Sequence, residues 1–388
     1  MVFKRVVSWL LSNFDILVVI LLAMCILFAG VRKFSQKTPS TASVPNTSAG
    51  MFVKRQGQNF IVGNQPFVVN GVNDYGLAYD DKDKIAQTFL LLHAAGVTTI
   101  RFWLFGDGIV DGFQPQAGKM NEERFEQADY IFAEAGTYGI KLIPVLVNNW
   151  TDYGGKDQYI RWAGKDPAKD ETIFYTDSKV NSLFKNYIVY VLTRKNTYTH
   201  RRYADDPSIL AWDIMNEPRS SDQNAMNSWL ISMASFMKQY DHQHLVFVGT
   251  EVATTQSLSG GESSGVCANA MIAICSVHLY LFNNAVPVFE NNNQVMSFLK
   301  TQQAFAKQLN KPVLLEEFGI DKTTQPFGQN PLAVMQRIIA EAKQEGYAGL
   351  LIWNWSSTPH TSFDFSSDKN EGEVSYSLSD LEQVLHAK

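Results

Sequence analysis

Two stretches of the chain end an apolar run on acids: Ile-Leu-Ala-Trp-Asp-Ile-Met runs into Asn216-Glu217-Pro218-Arg219, and Val-Leu-Leu runs into Glu316-Glu317-Phe318-Gly319. Two carboxyl groups facing one cleft can divide their work, one protonating a departing oxygen while the other attacks as nucleophile or activates water. That division suits the cleavage of a glycosidic bond. Alternation along a strand sends Glu316 and Glu317 to opposite faces, so only one is expected at the cleft. Alternation alone leaves open whether Glu316 or Glu317 is that one, since a register slip of one residue exchanges them. A carboxylate ending a buried strand needs cationic or polar neighbours. Other apolar runs end on suitable partners: Arg101, His278 with Tyr280, and Trp353 with Trp355. No Gly-rich phosphate loop follows a strand, no His/Cys cluster has metal spacing, and Gly-x-Ser-x-Gly is absent, so neither metal nor organic cofactor is implied.

The elements that must hold these residues alternate in kind. Short apolar or β-branched runs at 67–72, 98–104, 142–147, 209–215, 245–249, 272–278, 313–317 and 350–353 read as strands. Helical spacing fills the intervals at 85–95, 122–138, 183–192, 226–240, 295–309 and 332–345. The last of these carries its own punctuation, with Asn330 as N-cap, Pro331 at the first position and Gly346 beyond the final turn. Eight strand–helix repeats without a linker-like break predict an α/β fold, a (β/α)8 TIM barrel. In that fold, function gathers where strands end and βα loops begin. Ahead of the first barrel strand, residues 52–54 and 60–62 flank Gly57 and predict a short β-hairpin capping the barrel bottom.

The chain has 388 residues, 45 % hydrophobic, 12 % aromatic and only 18 % charged. Such a composition excludes a disordered tail, a collagen-like repeat and a coiled coil. A formal net charge of −5, a pI near 5.8 and the absence of long Lys/Arg blocks argue against a nucleic-acid partner. Residues 16–31 carry no charge and lie between Lys4-Arg5 and Arg32-Lys33. Residues 1–33 are therefore expected to be an uncleaved N-terminal membrane anchor, with a cleaved signal segment as the rival reading. The domain would stand on the extracytoplasmic side, tethered, or secreted if the segment is removed. Residues 34–50, rich in Ser, Thr and Pro, read as a flexible linker, and 51–388 as the catalytic domain. Of three cysteines, Cys25 falls in the apolar segment, leaving Cys267 and Cys275 as either a disulfide or two buried thiols.

On these residues the chain resembles glycoside hydrolase family 5, whose barrels carry Asn-Glu-Pro after strand four and Glu-Phe-Gly after strand seven. More narrowly it resembles the endo-β-1,4-mannanase branch, through Val147-Asn148-Asn149-Trp150 with Tyr153-Gly154-Gly155, Tyr159-Ile160-Arg161-Trp162, Phe174-Tyr175-Thr176-Asp177 and Ala-Trp-Asp-Ile-Met-Asn-Glu-Pro-Arg at 211–219. The resemblance implies Glu217 as acid/base, Glu317 as nucleophile and Asn216 as the group bonding the sugar 2-hydroxyl. It also implies that Arg101 and Tyr280 orient the nucleophile, that His278 supports the acid/base and that Trp353 floors the subsite beside the cleaved bond. Trp103, Trp150 and Trp162, with Asn149 beside them, are further substrate-contact candidates. The family retains anomeric configuration, which sets an expected carboxyl separation of about 5–5.5 Å. An arginine beside the nucleophile is expected to keep it ionised while the acid, in a less polar setting, keeps its proton. The implied substrate is β-mannan or a related β-1,4-linked polysaccharide. A glucanase or glucomannanase of the same family and a catalytically silent glycan-binding barrel are the alternatives. The stretch His278-Leu279-Tyr280-Leu281-Phe282-Asn283 departs from the branch, which continues His-Leu-Tyr-Pro toward a tryptophan.

Overall fold

The computed structural model describes residues 50–251, 265–283, 286–356, 365–366 and 376–387. The expected anchor and nearly all of the linker lie outside the described residues. Among the described residues, no helix is long and apolar enough to cross a membrane.

Three short antiparallel strands come first: β1 (Val53–Gln56), β2 (Asn59–Val62) and β3 (Gln65–Phe67). Gly57 at φ 61° makes the β1–β2 turn, as expected; β3 extends the hairpin to a third strand. This small sheet sits at the barrel bottom, where Lys141 Nζ donates to the Met51 carbonyl at 3.0 Å and the Phe52 ring meets His244 at 5.1 Å.

Eight parallel strands follow: β4 (Val69–Asn73), β5 (Thr99–Trp103), β6 (Lys141–Val145), β7 (Ala211–Asn216), β8 (Leu245–Gly249), β9 (Cys275–Leu279), β12 (Val313–Phe318) and β13 (Gly349–Trp353). The short pair β10 (Phe282–Asn283) and β11 (Val286–Pro287) forms a hairpin after β9, where the sequence departs from the mannanase pattern. The sheet order is β8-β7-β6-β5-β4-β13-β12-β9. Ala273 N–H to Val246 O and His278 N–H to Thr250 O, both 2.8 Å, join the two ends. The strands are apolar because both faces are covered, the outer by helices and the inner by opposing side chains.

The helices are α1 (Lys82–Ala94), α2 (Glu122–Tyr138), α3 (Gly155–Trp162), α4 (Ile173–Thr176), α5 (Ser178–Thr193), α6 (Gln223–Met237), α7 (Asn292–Gln308), α8 (Pro331–Glu345) and α9 (Leu378–Leu385). In α2, Phe125, Ala128, Ile131, Phe132 and Ala135 are buried, the spacing of one helical face. The capping of α8 is as its sequence predicts: Asn330 accepts from Ala333 N–H and Gly346 takes φ 86°. Cys267 and Cys275 are joined in a disulfide with Cα atoms 5.3 Å apart.

Candidate active site

Asn73, Arg101, Asn216 and Glu317 all stand at the upper ends of barrel strands, and their side chains converge. Arg101 is fully buried and binds acids on two other strands. Its Nη2 lies 2.8 Å from Asp213 Oδ2, its Nε 2.9 Å from Glu316 Oε1, and its Nη1 pairs with Glu317 Oε1. Asn73 Oδ1 accepts from the guanidinium at 3.0 Å and Asn216 Oδ1 at 2.8 Å. Its flat face lies 4.9 Å from the Trp103 ring centroid.

Simple alternation does not describe β12. Its register against β9 and β13 shifts after Leu315, a bulge at the two glutamates. Glu316 and Glu317 consequently reach the same arginine and the same histidine, contrary to the expected separation onto opposite faces. Glu317 opens on the cleft, whereas Glu316 is enclosed beneath it.

The other acid follows β7. Glu217 adopts φ 50° and its N–H bonds the Gly249 carbonyl at 2.8 Å, turning the chain just above the strand. Oε1 lies 2.9 Å from His278 Nδ1, and Oε2 accepts the Trp150 indole N–H at 2.6 Å. Glu317 Oε2 accepts from the Tyr280 hydroxyl at 2.8 Å and lies 3.4 Å from His278 Nδ1. One carboxylate oxygen of Glu217 and one of Glu317 come within 4.8 Å of each other and of a His278 nitrogen. A retaining pair needs such closeness, since its nucleophile attacks the sugar directly and no water has to fit between the two carboxyl groups.

Burial favours a raised carboxyl at every acid here, and the partners decide the outcome. At Glu217, burial is outweighed by the hydrogen bond and charge of His278 and by the Trp150 N–H, holding the carboxyl below its usual range. At Glu317, burial wins over His278 and Arg101, and the charge of Glu217 adds to it, so this carboxyl is raised. Burial disfavours a charged His278 ring, yet Glu317, Glu217 and Glu316 together push it up to about 10. Burial and the charge of Glu316 push Asp213 up to about 7 against Arg101. The shifts therefore run opposite to the expected order: the carboxyl expected to be held down is raised, and the one expected to keep its proton is lowered. Arg101 divides its charge among three acids, and an imidazolium stands against Glu217.

The cleft above these groups has a volume of about 380 Å³ and is walled by Tyr75, Trp103, Trp150, Tyr153 and Trp353. Trp353 stacks on Tyr75 at 5.5 Å with the rings 17° apart. Trp150 is 39 % exposed, whereas Trp103 is nearly buried over Arg101. The Trp150 loop needs glycine at 155: a Cβ there would meet the Trp150 carbonyl oxygen at 2.2 Å. Asn149 turns from this cleft, accepting from Arg219 N–H at 3.3 Å and lining a neighbouring polar cavity of about 420 Å³. Trp162 is not brought to the cleft either; it packs edge-on against Tyr159 at 5.1 Å. Trp355 is core. Asn73, Asn148, Asp213, Tyr75 and Tyr153 are site residues that sequence reasoning missed. Asn148, Asp213 and Tyr153 lay inside the quoted strings, and Asn73 is the polar end of a barrel strand, the signal that had found Arg101.

A family model described as "GH family 5 beta-mannosidase-like" matches residues 50–358. Mannan endo-1,4-beta-mannosidase 7 of Arabidopsis thaliana is 34 % identical over 367 residues, covering 86 % of this chain and 84 % of that protein. Mannan endo-1,4-beta-mannosidase 5 of Solanum lycopersicum is 32 % identical over 337 residues, covering 78 % and 80 %. The crystal structure of the endo-1,4-beta-mannanase from Rhizomucor miehei superposes with a TM-score of 0.74 at 27 % identity, covering 87 % of this chain and 98 % of that one. With paired acids at the mouth of a closed parallel barrel and this likeness along most of its length, the chain belongs to glycoside hydrolase family 5, in the β-mannosidase-like group, and is a glycoside hydrolase.

Proposed function

We propose that the protein is a retaining, endo-acting hydrolase of β-1,4-mannosidic bonds in mannan-type polysaccharides, with Glu217 as acid/base and Glu317 as nucleophile. The observation that carries this reading is the close approach of the two carboxylates under an aromatic-walled cleft. Indole and phenol faces match the apolar faces of pyranose rings. Trp353, stacked on Tyr75, lines the same cleft as the two acids.

Glu317 attacks the anomeric carbon as Glu217 gives a proton to the departing glycosidic oxygen, leaving a glycosyl ester on Glu317. Glu217, now ionised, takes a proton from water; the water oxygen bonds the anomeric carbon and Glu317 departs as carboxylate. Arg101 and the Tyr280 hydroxyl hold the two oxygens of Glu317 in line for attack. Asn216 is clamped between Arg101 and Asn148, and His278 bonds the acid/base. Esterification removes the negative charge of Glu317, one of the influences that raises its neighbours' proton affinity, which favours Glu217 acting as a base in the second step.

Reducing-sugar release from linear mannan, glucomannan, xylan and soluble cellulose, with Glu317→Gln as control, tests the assignment. Cleavage of mannan that disappears in the variant supports it; cleavage of glucan alone keeps the chemistry and rejects the substrate. The apolar run at 16–31 supports export of the catalytic domain, as an anchor or a removed signal; fractionation of the full chain between membrane and medium distinguishes the two.

A further inference from the structure

The two adjacent acids of β12 reach one histidine from different sides. Glu316 is fully buried and does not line the cleft. Its Oε2 accepts from the Ser276 hydroxyl and lies 3.1 Å from His278 Nε2, and its backbone carbonyl accepts from Asn73 Nδ2 at 2.8 Å. Oε1 lies 2.9 Å from Arg101 Nε as an ion pair without an aligned hydrogen bond. The other ring nitrogen of His278, Nδ1, faces Glu217 at 2.9 Å and Glu317 at 3.4 Å. What one imidazole nitrogen holds decides what the other can offer. Carboxylates face both nitrogens, but Glu316 on Nε2 is enclosed beneath the cleft, whereas Nδ1 faces the two acids proposed to change charge in the reaction, so Nδ1 is the nitrogen placed to exchange a proton opposite Glu217.

We propose that Glu316 is a positioning residue for the acid–base step: through His278 Nε2 it fixes Nδ1 toward Glu217, and its charge sets how tightly the Glu217–His278 pair holds its proton. The inference rests on the reading of Glu217 as acid/base. Around the ring, the charged and titratable groups are Glu217 and Asp213 from β7 and its end, Glu251 after β8, Tyr280 after β9, Glu316 and Glu317 from β12, and Arg101 from β5. Glu251 is tied to Arg219, and Asp213 to Arg101 and the Gly249 N–H. That leaves Glu316 as the described acid bonded to Nε2. Proton balance stays within the pair and the substrate. Glu217 becomes a carboxylate facing Nδ1–H when it protonates the leaving oxygen, and regains a proton from the attacking water.

The test is Glu316→Gln in the full chain, which keeps an acceptor oxygen near Nε2 and removes the charge. The alkaline limb of kcat/KM on linear β-1,4-mannan should move to lower pH by about one unit, with KM changed by less than about twofold. Glu316→Asp, which keeps the charge, should move it less. A loss of activity by one factor at every pH, with the limb unmoved, would show a merely structural role and overturn the proposal. Should the Gln variant not fold, nitrogen-15 NMR of His278 in the unsubstituted protein decides. Nε2 must stay protonated while Nδ1 titrates, and loss of the Nε2 proton first rejects the proposal. Failure of the underlying reading looks different: Glu217→Gln would then keep its activity on mannan whatever the His278 spectrum shows.

Discussion

The indole N–H of Trp150 reaches Glu217 Oε2 at 2.6 Å, so a ring exposed to the cleft is also a donor to the proposed acid. Trp150→Phe keeps an aromatic face and removes the donor. A carboxylate that loses a hydrogen bond to its ionised form binds its proton more tightly. The alkaline limb of kcat/KM should therefore move to higher pH, opposite to Glu316→Gln, with kcat lower by about tenfold. A pH–rate profile of the variant that overlays the parent's would reject the link.

Glu217→Gln should distinguish leaving groups. Hydrolysis of mannan, whose departing oxygen needs a proton, should fall by about 10²–10⁴-fold. A dinitrophenyl mannobioside, whose leaving group needs none, should still load Glu317, giving a burst of dinitrophenolate followed by slow turnover. Equal losses on both substrates would assign Glu217 another role.

Asp107, just beyond β5, is 1 % exposed, and neither carboxyl oxygen has a well-formed hydrogen bond. Its N–H bonds the carbonyl of Tyr153 in the cleft wall at 2.7 Å. Burial raises its carboxyl well above the usual range, with the Tyr159 hydroxyl opposing. Because the folded value is the higher one, the associated stability is complete below the unfolded value of about 3.9 and is lost as pH rises toward the folded value. Asp107→Asn removes that titration. The variant should melt above the parent at pH 8, with the difference shrinking toward pH 4; a difference independent of pH would contradict this.

The Cys267–Cys275 disulfide closes a separation of eight residues at the start of β9. The same loop is tied down by Lys311, whose ammonium donates to the carbonyls of Cys267 and Asn269. Replacing both cysteines by serine should lower stability by about 2–3 kcal/mol. Activity should change little, because His278 and Tyr280 lie toward the other end of the strand. Thermal melting with and without reductant checks the first statement, and an unchanged midpoint would refute it.

The eight barrel strands were legible because strands buried on both faces read as continuous apolar runs, α2 because its apolar residues keep helical spacing, and α8 because its caps and spacing agree. Helices α3, α4 and α9 and strands β3, β10, β11, β14 (Phe365–Ser366) and β15 (Tyr376–Ser377) were not. They are short, and their sequences carry too few periodic positions to stand out. At the site, residue types at strand ends pointed to Arg101, Glu217, His278, Tyr280, Glu317 and Trp353, which the structure gathers around one cleft or directly beneath it. Glu316 was misplaced because period-two alternation has no means of showing a bulge. The direction of each carboxyl's shift was misjudged for a similar reason. It turns on contacts between residues far apart in the chain: His278 meets Glu217 across a separation of 61 positions. Trp162 was an aromatic in the right string that folds onto Tyr159 instead of the cleft.

Glu217 and Tyr153, at φ 50° and 59°, are two of the five non-glycine residues in the left-handed region among the described residues, and both line the cleft. A side chain with a Cβ is held there at a conformational cost of order 1–3 kcal/mol. Glycine at 217 would relieve that strain and remove a buried carboxylate at once. Selection of variants for heat resistance alone should thus recover substitutions at the very position proposed to protonate the sugar oxygen, and a thermostable library needs an activity gate to keep its catalyst.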